Sequence, residues 1–324
     1  MALEYTELQA VTDDYVAKQT EDIYFYENVL LYLLMGKGKM ATNLAGPTAG
    51  KTVDGGKKLK QILEIDEGHS GSYGNTTKIP LSKKDIFNAA LFDWAGYYGS
   101  NSIDLDDQVQ NSGDAALIDL VYGKLQNIQK TIRKKMGADI YSSAADNDSF
   151  VGLGDLFNTT SSTEYGNIAE DDVDDWAANV ITGAKVMGFS FLQELRREAK
   201  IGNNKSGKPN IYVTTETLMD AFTNSLQVQA RYSNTDLANA GFNNVLFEGV
   251  PVVSDDNQTA NYVDGLNLEF LKILTHEKYQ FTKPEWKVTS VEQPDSFSAN
   301  VRWIGQLVCS NRKAHARANN VSAS

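Results

Sequence analysis

The stretch Ala45-Gly-Pro-Thr-Ala-Gly-Lys51-Thr52 ends as a phosphate-binding loop ends, in Gly-Lys-Thr. Such a loop needs Gly, four residues, then Gly-Lys-Ser/Thr. It must leave a buried strand and open a helix whose free N–H groups hold the phosphates. Counting back from Gly50 puts Ala45 where the first Gly belongs. The sequence Val53-Asp54-Gly55-Gly56 follows Thr52, and a Gly pair opposes a helix there. Residues 36–56 therefore read as a Gly/Thr/Lys junction between two ordered parts.

Other candidate chemistry fails by similar margins. Gly68-His-Ser-Gly-Ser72 approaches a nucleophile elbow, but Ser72 stands where the second Gly is required. His276-Glu277 opens like a zinc-protease helix and lacks the second His, and His69, His276 and His315 have no metal-ligand neighbours at useful spacing. Asp146-Asn147-Asp148 begins like a calcium loop, with Val151 in the required Gly position. The acidic run Glu170 to Asp175 reads as a solvated helix start, and Trp94, Trp176, Trp286 and Trp303 as core or interface aromatics. No catalytic, cofactor-binding or metal-binding set is assigned.

The background supports this. The chain has 324 residues, 41% of them hydrophobic, with no apolar run long enough to span a bilayer. Met1 to Ala10 carries acids and no basic stretch, so no secretory leader is expected, and the single Cys309 fits a reducing interior. Net charge is −12, concentrated in residues 146–262, which hold 7 Lys/Arg against 17 Asp/Glu. A chain that grips nucleic acid by its phosphates needs a basic face. Here the sequence offers a short basic tail, Arg312, Lys313 and Arg317.

The elements that would have to position chemistry are long and poorly matched to a small core. Leu8, Val11, Tyr15, Ile23, Tyr26, Val29, Leu30, Leu33 and Leu34 predict a helix within 3–35. Lys58–Ile65 and Ala90–Tyr98 read as strands of a long two-stranded arm over 57–103, with a polar Gly/Ser section between them. A lone hairpin of that kind must lie on something. Residues 106–136 predict a spine helix about 45 Å long. Its apolar stripe is Leu117, Leu120, Val121, Leu125, Ile128, Ile132 and Met136, with Asp at its start and Arg133-Lys134-Lys135 at its end. Helices are expected at Asp171–Met187, Ser190–Ile201 and Leu218–Leu226, the last capped by Thr215 or Thr217. Strands are expected at Asn210–Thr214, Val250–Val253, Leu266–Leu274, Trp286–Gln293 and Ala299–Cys309, and a loose tail over 315–324.

This order resembles the major capsid proteins of tailed double-stranded-DNA bacteriophages, the Hong Kong 97-type capsid fold. The resemblance is most specific at Gly55-Gly56-Lys57 with Phe92–Tyr98, at Asn243–Val253 followed by Asp255-Asp256, and at Trp303–Arg312. It implies an α+β chain with an N-terminal arm at 1–56 and an extended β-hairpin loop at 57–103. A peripheral domain with the spine helix would combine 104–145 and 263–312, an axial domain would span 146–262, and a tail 313–324. It implies a structural protein, not an enzyme, that self-assembles as hexamers and pentamers into the icosahedral head around the phage DNA. Its partners would be further copies and scaffolding, portal and cement proteins. The double-stranded DNA would be enclosed without sequence-specific binding, and no membrane or cofactor is involved. The place would be the virion, assembled in the host bacterial cytoplasm. Contacts between subunits are expected at Lys57, Lys58, Lys60, Lys78, Lys83, Lys84, Trp94 and Tyr97, and packing of the spine at Leu117, Leu120, Val121, Leu125, Ile128 and Ile132. An encapsulin-like compartment of the same fold, and a P-loop nucleotide-dependent enzyme, are the alternative readings.

Overall fold

Apolar side chains at three- and four-residue spacing on one long helix organise the first of two cores. The computed structural model describes residues 28–35, 50–65, 68–75, 78–80, 82–104, 114–143, 148–160, 163–173, 176–199, 207–226, 244–281, 286–290 and 293–323. Its strands are β1 (Thr52–Val53), β2 (Leu59–Glu64), β3 (Phe87–Phe92), β4 (Ala95–Ile103), β5 (Glu164–Tyr165), β6 (Ile168–Ala169), β7 (Asn179–Ile181), β8 (Lys185–Val186) and β9 (Ile211–Thr214). They continue with β10 (Asn244–Phe247), β11 (Val250–Ser254), β12 (Val263–Leu266), β13 (Leu271–His276), β14 (Trp286–Ser290), β15 (Gln293–Cys309), β16 (Ala316–Ala318) and β17 (Val321–Ser322).

The long helix runs from Asp114 to Tyr141. Leu125, Ile128, Ile132, Met136 and Ile140 are buried in one cluster with residues of β4, β13 and β15. Each such side chain contributes about 1.5–3 kcal/mol on full burial. The helix comes so close to β4 that a Cβ on Gly99 would stand 2.8 Å from Ile128 Cγ2 and 2.9 Å from Ile132 Cγ1. Arg133-Lys134-Lys135 does not end the helix, because Met136, Ile140 and Tyr141 extend the buried stripe past it. The side chains of Leu117, Leu120 and Val121 lie outside the described set, as do residues 106–113 of the expected helix. Of the helix expected over 3–35, Val29–Leu34 is described and is buried in this same core.

Strand β15 is 17 residues long and takes three antiparallel partners. β4 pairs along Phe297–Gly305, β13 along Gly305–Cys309 and β14 along Gln293–Ala299, while β1 joins β13 in parallel. The second core lies on a six-stranded sheet of order β10-β11-β9-β12-β16-β7. Helices Phe189–Glu198 and Glu216–Ser225 bury Leu192, Leu195 and Phe222 there with Phe247, Val252 and Val263. The β10–β11 hairpin turns through Glu248 at φ 49° and Gly249 at φ 85°, a pair of left-handed residues that matches the twist of its strands. Among the described residues no helix is long and apolar enough to cross a membrane.

Four expectations are corrected. The strand expected over Ala90–Tyr98 breaks at Asp93-Trp94: its first half pairs with β2, and its second half joins the five-stranded sheet through β15. The run Leu266–Leu274 likewise splits between the two sheets as β12 and β13, with Phe270 N bonded to Asn267 O in the turn between them. Asp171–Met187 is not a helix but a short 3-10 turn followed by β7 and β8. The loose tail is built in: β16 lies between β12 and β7, and β17 pairs with β8. In the last two cases pairing with residues more than 100 positions away decides the local structure.

The supposed basic tail is buried for the same reason. The Arg312 guanidinium donates to the carbonyls of Leu156, Asn158 and Trp176 at 2.8–3.0 Å. Arg317 Nε reaches Asp264 Oδ1 at 2.6 Å and its Nη2 reaches Oδ2 at 2.8 Å, with the rings of Phe157 and Tyr262 at 4.6 and 5.1 Å. His315 accepts from Asn267 N at 3.1 Å, and burial pushes its pKa down to about 3.

Candidate assembly surface

The arm begins where Gly55 and Gly56, at φ 140° and 126°, turn the chain out of β1. Trp94 Nε1 donates to Gly56 O at 2.8 Å, and its ring lies 5.4 Å from that of His276. Lys58 Nζ stands 3.1 Å from Asp93 Oδ2, and Gln306 Nε2 donates to Asp93 O at 2.9 Å. Two of the residues expected between subunits, Lys58 and Trp94, thus hold the arm's root to its own body.

Alternation divides the β2–β3 ribbon into two faces. Leu59, Leu63, Ala90 and Phe92 point inward and are buried, with Phe92 edge-on to Tyr165 at 5.3 Å and Leu91 N bonded to Gly166 O at 2.8 Å. The base of the arm is therefore part of its own subunit's core, more than the sequence reading allowed. Ile62 and Phe87 lie on the opposite face. Beyond the ribbon, every described residue from 68 to 85 is exposed. Ile62, Tyr73, Ile79 and Phe87 are between 64% and 76% exposed. His69 Nε2 lies 3.2 Å from Ser82 O and 3.1 Å from its Oγ, and Lys83 pairs with Asp85 at 3.1 Å. Lys57, Lys60, Lys78, Lys83 and Lys84 are all exposed.

On the body, Tyr97 and Tyr98 separate sharply. Tyr97 is 7% exposed, donates to Asp139 Oδ2 at 3.0 Å and accepts from Phe150 N at 3.0 Å; burial raises its pKa. It belongs to its own core because it faces the helix. Tyr98, one residue on and 75% exposed, occupies the outer face. A groove of about 690 Å³ opens beside it, lined by Trp94, Gly96, Asp148, Arg302 and Ile304 among others. Leu125, Ile128 and Ile132 are buried beneath this sheet. The sequence reading passed over Ile62, Phe87 and Tyr98, although their positions out of phase with Leu59, Leu63 and Tyr97 carried the signal.

The other motifs take structural places. The Gly-Lys-Thr run enters strand β1, where Thr275 N donates to Lys51 O, and opens no helix, which opposes the P-loop reading; residues 45–49 lie outside the described residues. His276 Nδ1 accepts from Lys278 N at 3.1 Å, and Glu170 Oε1 accepts from Ala178 N at 2.8 Å. Trp176 Nε1 donates to Tyr165 O, and Trp303 is buried. Asp146 and Asn147 lie outside the described residues, as does the side chain of Trp286. Among the described residues no three His, Cys, Asp or Glu side chains gather as a metal site.

No protein-family model matches the chain, and no curated protein matches it. Solved structures do. The chain is similar to the capsid asymmetric unit of cyanophage A-1(L), with a TM-score of 0.70 and 16% identity over 95% of each chain. It is similar to the capsid of a native GTA particle, with a TM-score of 0.57 and 12% identity over 84% of this chain and 88% of that one. For the capsid of cyanophage Pam1 the values are 0.51 and 9%, over 82% and 85%. At these identities the likeness is one of backbone architecture: the chain has the α+β Hong Kong 97-type capsid fold.

Proposed function

We propose that this chain is a major capsid protein, a structural subunit that assembles as hexamers and pentamers into the icosahedral head of a tailed phage. The shell encloses double-stranded DNA without reading its sequence, and the protein acts as a building block, not an enzyme. Its place is the virion, with assembly in the bacterial cytoplasm alongside scaffolding and portal proteins. The expected domain bounds are adjusted in this reading: the long helix with the five-stranded sheet is the peripheral domain, the six-stranded sheet is the axial domain and so takes in 263–266 and 316–318 besides 146–262, and the extended loop is 57–92 and not 57–103, since Ala95–Ile103 pairs with β15.

The observation that carries this reading is the arm: four large apolar side chains, Ile62 and Phe87 on the outer face of its ribbon and Tyr73 and Ile79 at its tip, are uncovered on a fold that is similar to a phage capsid subunit. Fully covering each contributes about 1.5–3 kcal/mol, whereas an exposed lysine–carboxylate pair contributes about 0–1 kcal/mol. Apolar contact therefore outweighs the lysines in seating the arm on a neighbouring copy. Lys57, Lys60, Lys78, Lys83 and Lys84 set its approach to the acidic lobe. Electron microscopy of the purified chain, alone and co-expressed with its scaffolding protein, tests the reading. Closed particles are expected; a chain that stays monomeric in both conditions contradicts it, and particles holding protein cargo in place of DNA make it a compartment.

A further inference from the structure

Strand β4 is paired along one side and open along the other. Its ladder partner among the described residues is β15, in an unbroken antiparallel register from Ala95–Gly305 to Ile103–Phe297. In such a register every second residue turns its N–H and C=O away from the partner strand. Gly96 and Ser102 do so: Gly96 N donates to Asp148 O at 3.0 Å, and Ser102 O accepts from Lys124 Nζ at 2.6 Å. Tyr98 and Ser100 lie between them in the same phase, and among the described residues no hydrogen bond reaches their N–H or C=O groups. The edge is closed at both ends and open in the middle.

The open stretch borders a groove of about 530 Å³ whose other wall is the long helix, at Thr131, Lys135 and Asp139. Lys135 pairs with Asp139 at 2.9 Å, yet its side chain stays 66% exposed. Residues 124–141 of this helix hold Lys124, Lys130, Arg133, Lys134 and Lys135 against the single acid Asp139, in a chain of net charge −12. Lys130, Lys134 and Lys135 are exposed, and Asp148 is the exposed carboxylate at the groove's end. On the outer face of the sheet the same edge carries the Tyr98 ring, 75% exposed.

These features specify an occupant. Unpaired backbone groups on a sheet edge call for an extended chain. Alternation along that chain sends one set of side chains toward Thr131 and Lys135 and the other beside Tyr98. We propose that the β4 edge at Tyr98 and Ser100 binds an extended peptide as an added strand, one in which carboxylates alternate with apolar residues. The carboxylates meet the lysines of the helix, and the apolar residues lie along the Tyr98 ring. The site goes beyond the shell-forming reading and does not rest on it, because binding is measured without particles.

The test uses the full chain and a short capped peptide alternating aspartate and valine. Two control peptides carry lysine in place of aspartate, or methyl groups on the backbone nitrogens. Fluorescence anisotropy of the labelled peptides and hydrogen exchange of the protein are read together. The aspartate peptide is expected to bind and to slow exchange at Tyr98 and Ser100. The lysine peptide should bind at least about tenfold more weakly, and the methylated one not at all. Ser100→Pro removes the outward N–H and leaves the β15 ladder intact, so it should lose the peptide with an unchanged circular dichroism spectrum. Lys135→Glu should weaken binding about tenfold. The site is overturned if the aspartate peptide does not bind, if either control binds equally well, or if either variant keeps wild-type affinity. Should Ser100→Pro fail to fold, the methylated peptide on the wild-type chain decides the edge geometry by itself.

Discussion

Residues 312–322 and the arm tip, residues 68–85, look alike as sequence: short, polar, basic, rich in small residues. In the fold they are opposites. Arg312, His315 and Arg317 are buried and bonded to carbonyls, an amide and a carboxylate supplied by distant parts of the chain. The described residues of the tip are exposed, and their contacts include short-range ones such as Lys83 with Asp85. The difference comes from what surrounds each segment. β12 and β7 leave two open edges and a buried carboxylate that a passing strand must satisfy, whereas the tip extends beyond the last rung of its ribbon. A polar segment goes inside when the rest of the chain leaves polar groups unmet, and its own composition does not reveal this.

The comparison is broken most forcefully at Arg317. Replacing it with Ala leaves Asp264 buried without its cation, and unfolding stability should fall by about 3–5 kcal/mol in a urea titration; a loss under about 1 kcal/mol would mean the segment behaves as a surface tail. His315 sharpens it through pH. Its folded pKa lies below the unfolded 6.5, so its contribution is complete above pH 6.5 and is lost as pH falls toward about 3. The slope is about 1.4 kcal/mol per pH unit within that window. The difference in stability between the wild type and His315→Asn, followed from pH 7 to 4, should show this slope; parallel curves would contradict the buried neutral imidazole. The tip should answer least. Tyr73→Ser with Ile79→Ser should move subunit stability by no more than about 0.5 kcal/mol, and a larger loss would show that these side chains already have a surface in their own chain.

Much of the fold could be read where the pattern is local. Ile128 and Ile132 follow helical spacing and β2 alternates, whereas the Glu248-Gly249 turn that pairs β10 with β11 went unread. The order of such elements was enough to suggest the capsid fold. The failures lie where partners are far apart in sequence. Residues 171–187 look helical until β16 and β17 arrive from beyond residue 315, and Asp93-Trp94 gives no local sign that the chain changes sheets. At the candidate surface, the lysines drew attention through charge, while Ile62, Phe87 and Tyr98 were passed over although their alternation with buried neighbours was already a signal. Tyr97 and Tyr98 show how little separates the two outcomes: one residue of register exchanges core for surface.

The central claim is that the arm tip acts between copies and not within one. Replacing residues 67–77 with a two-residue turn, in the otherwise complete chain, tests it most directly. The shortened chain should keep its circular dichroism and its urea midpoint, because the buried ribbon Leu59–Leu63 and Ala90–Phe92 is untouched, and electron microscopy should find no closed shells. Shells formed as readily as by the wild type would contradict the account, and an unfolded subunit would place the tip in its own core.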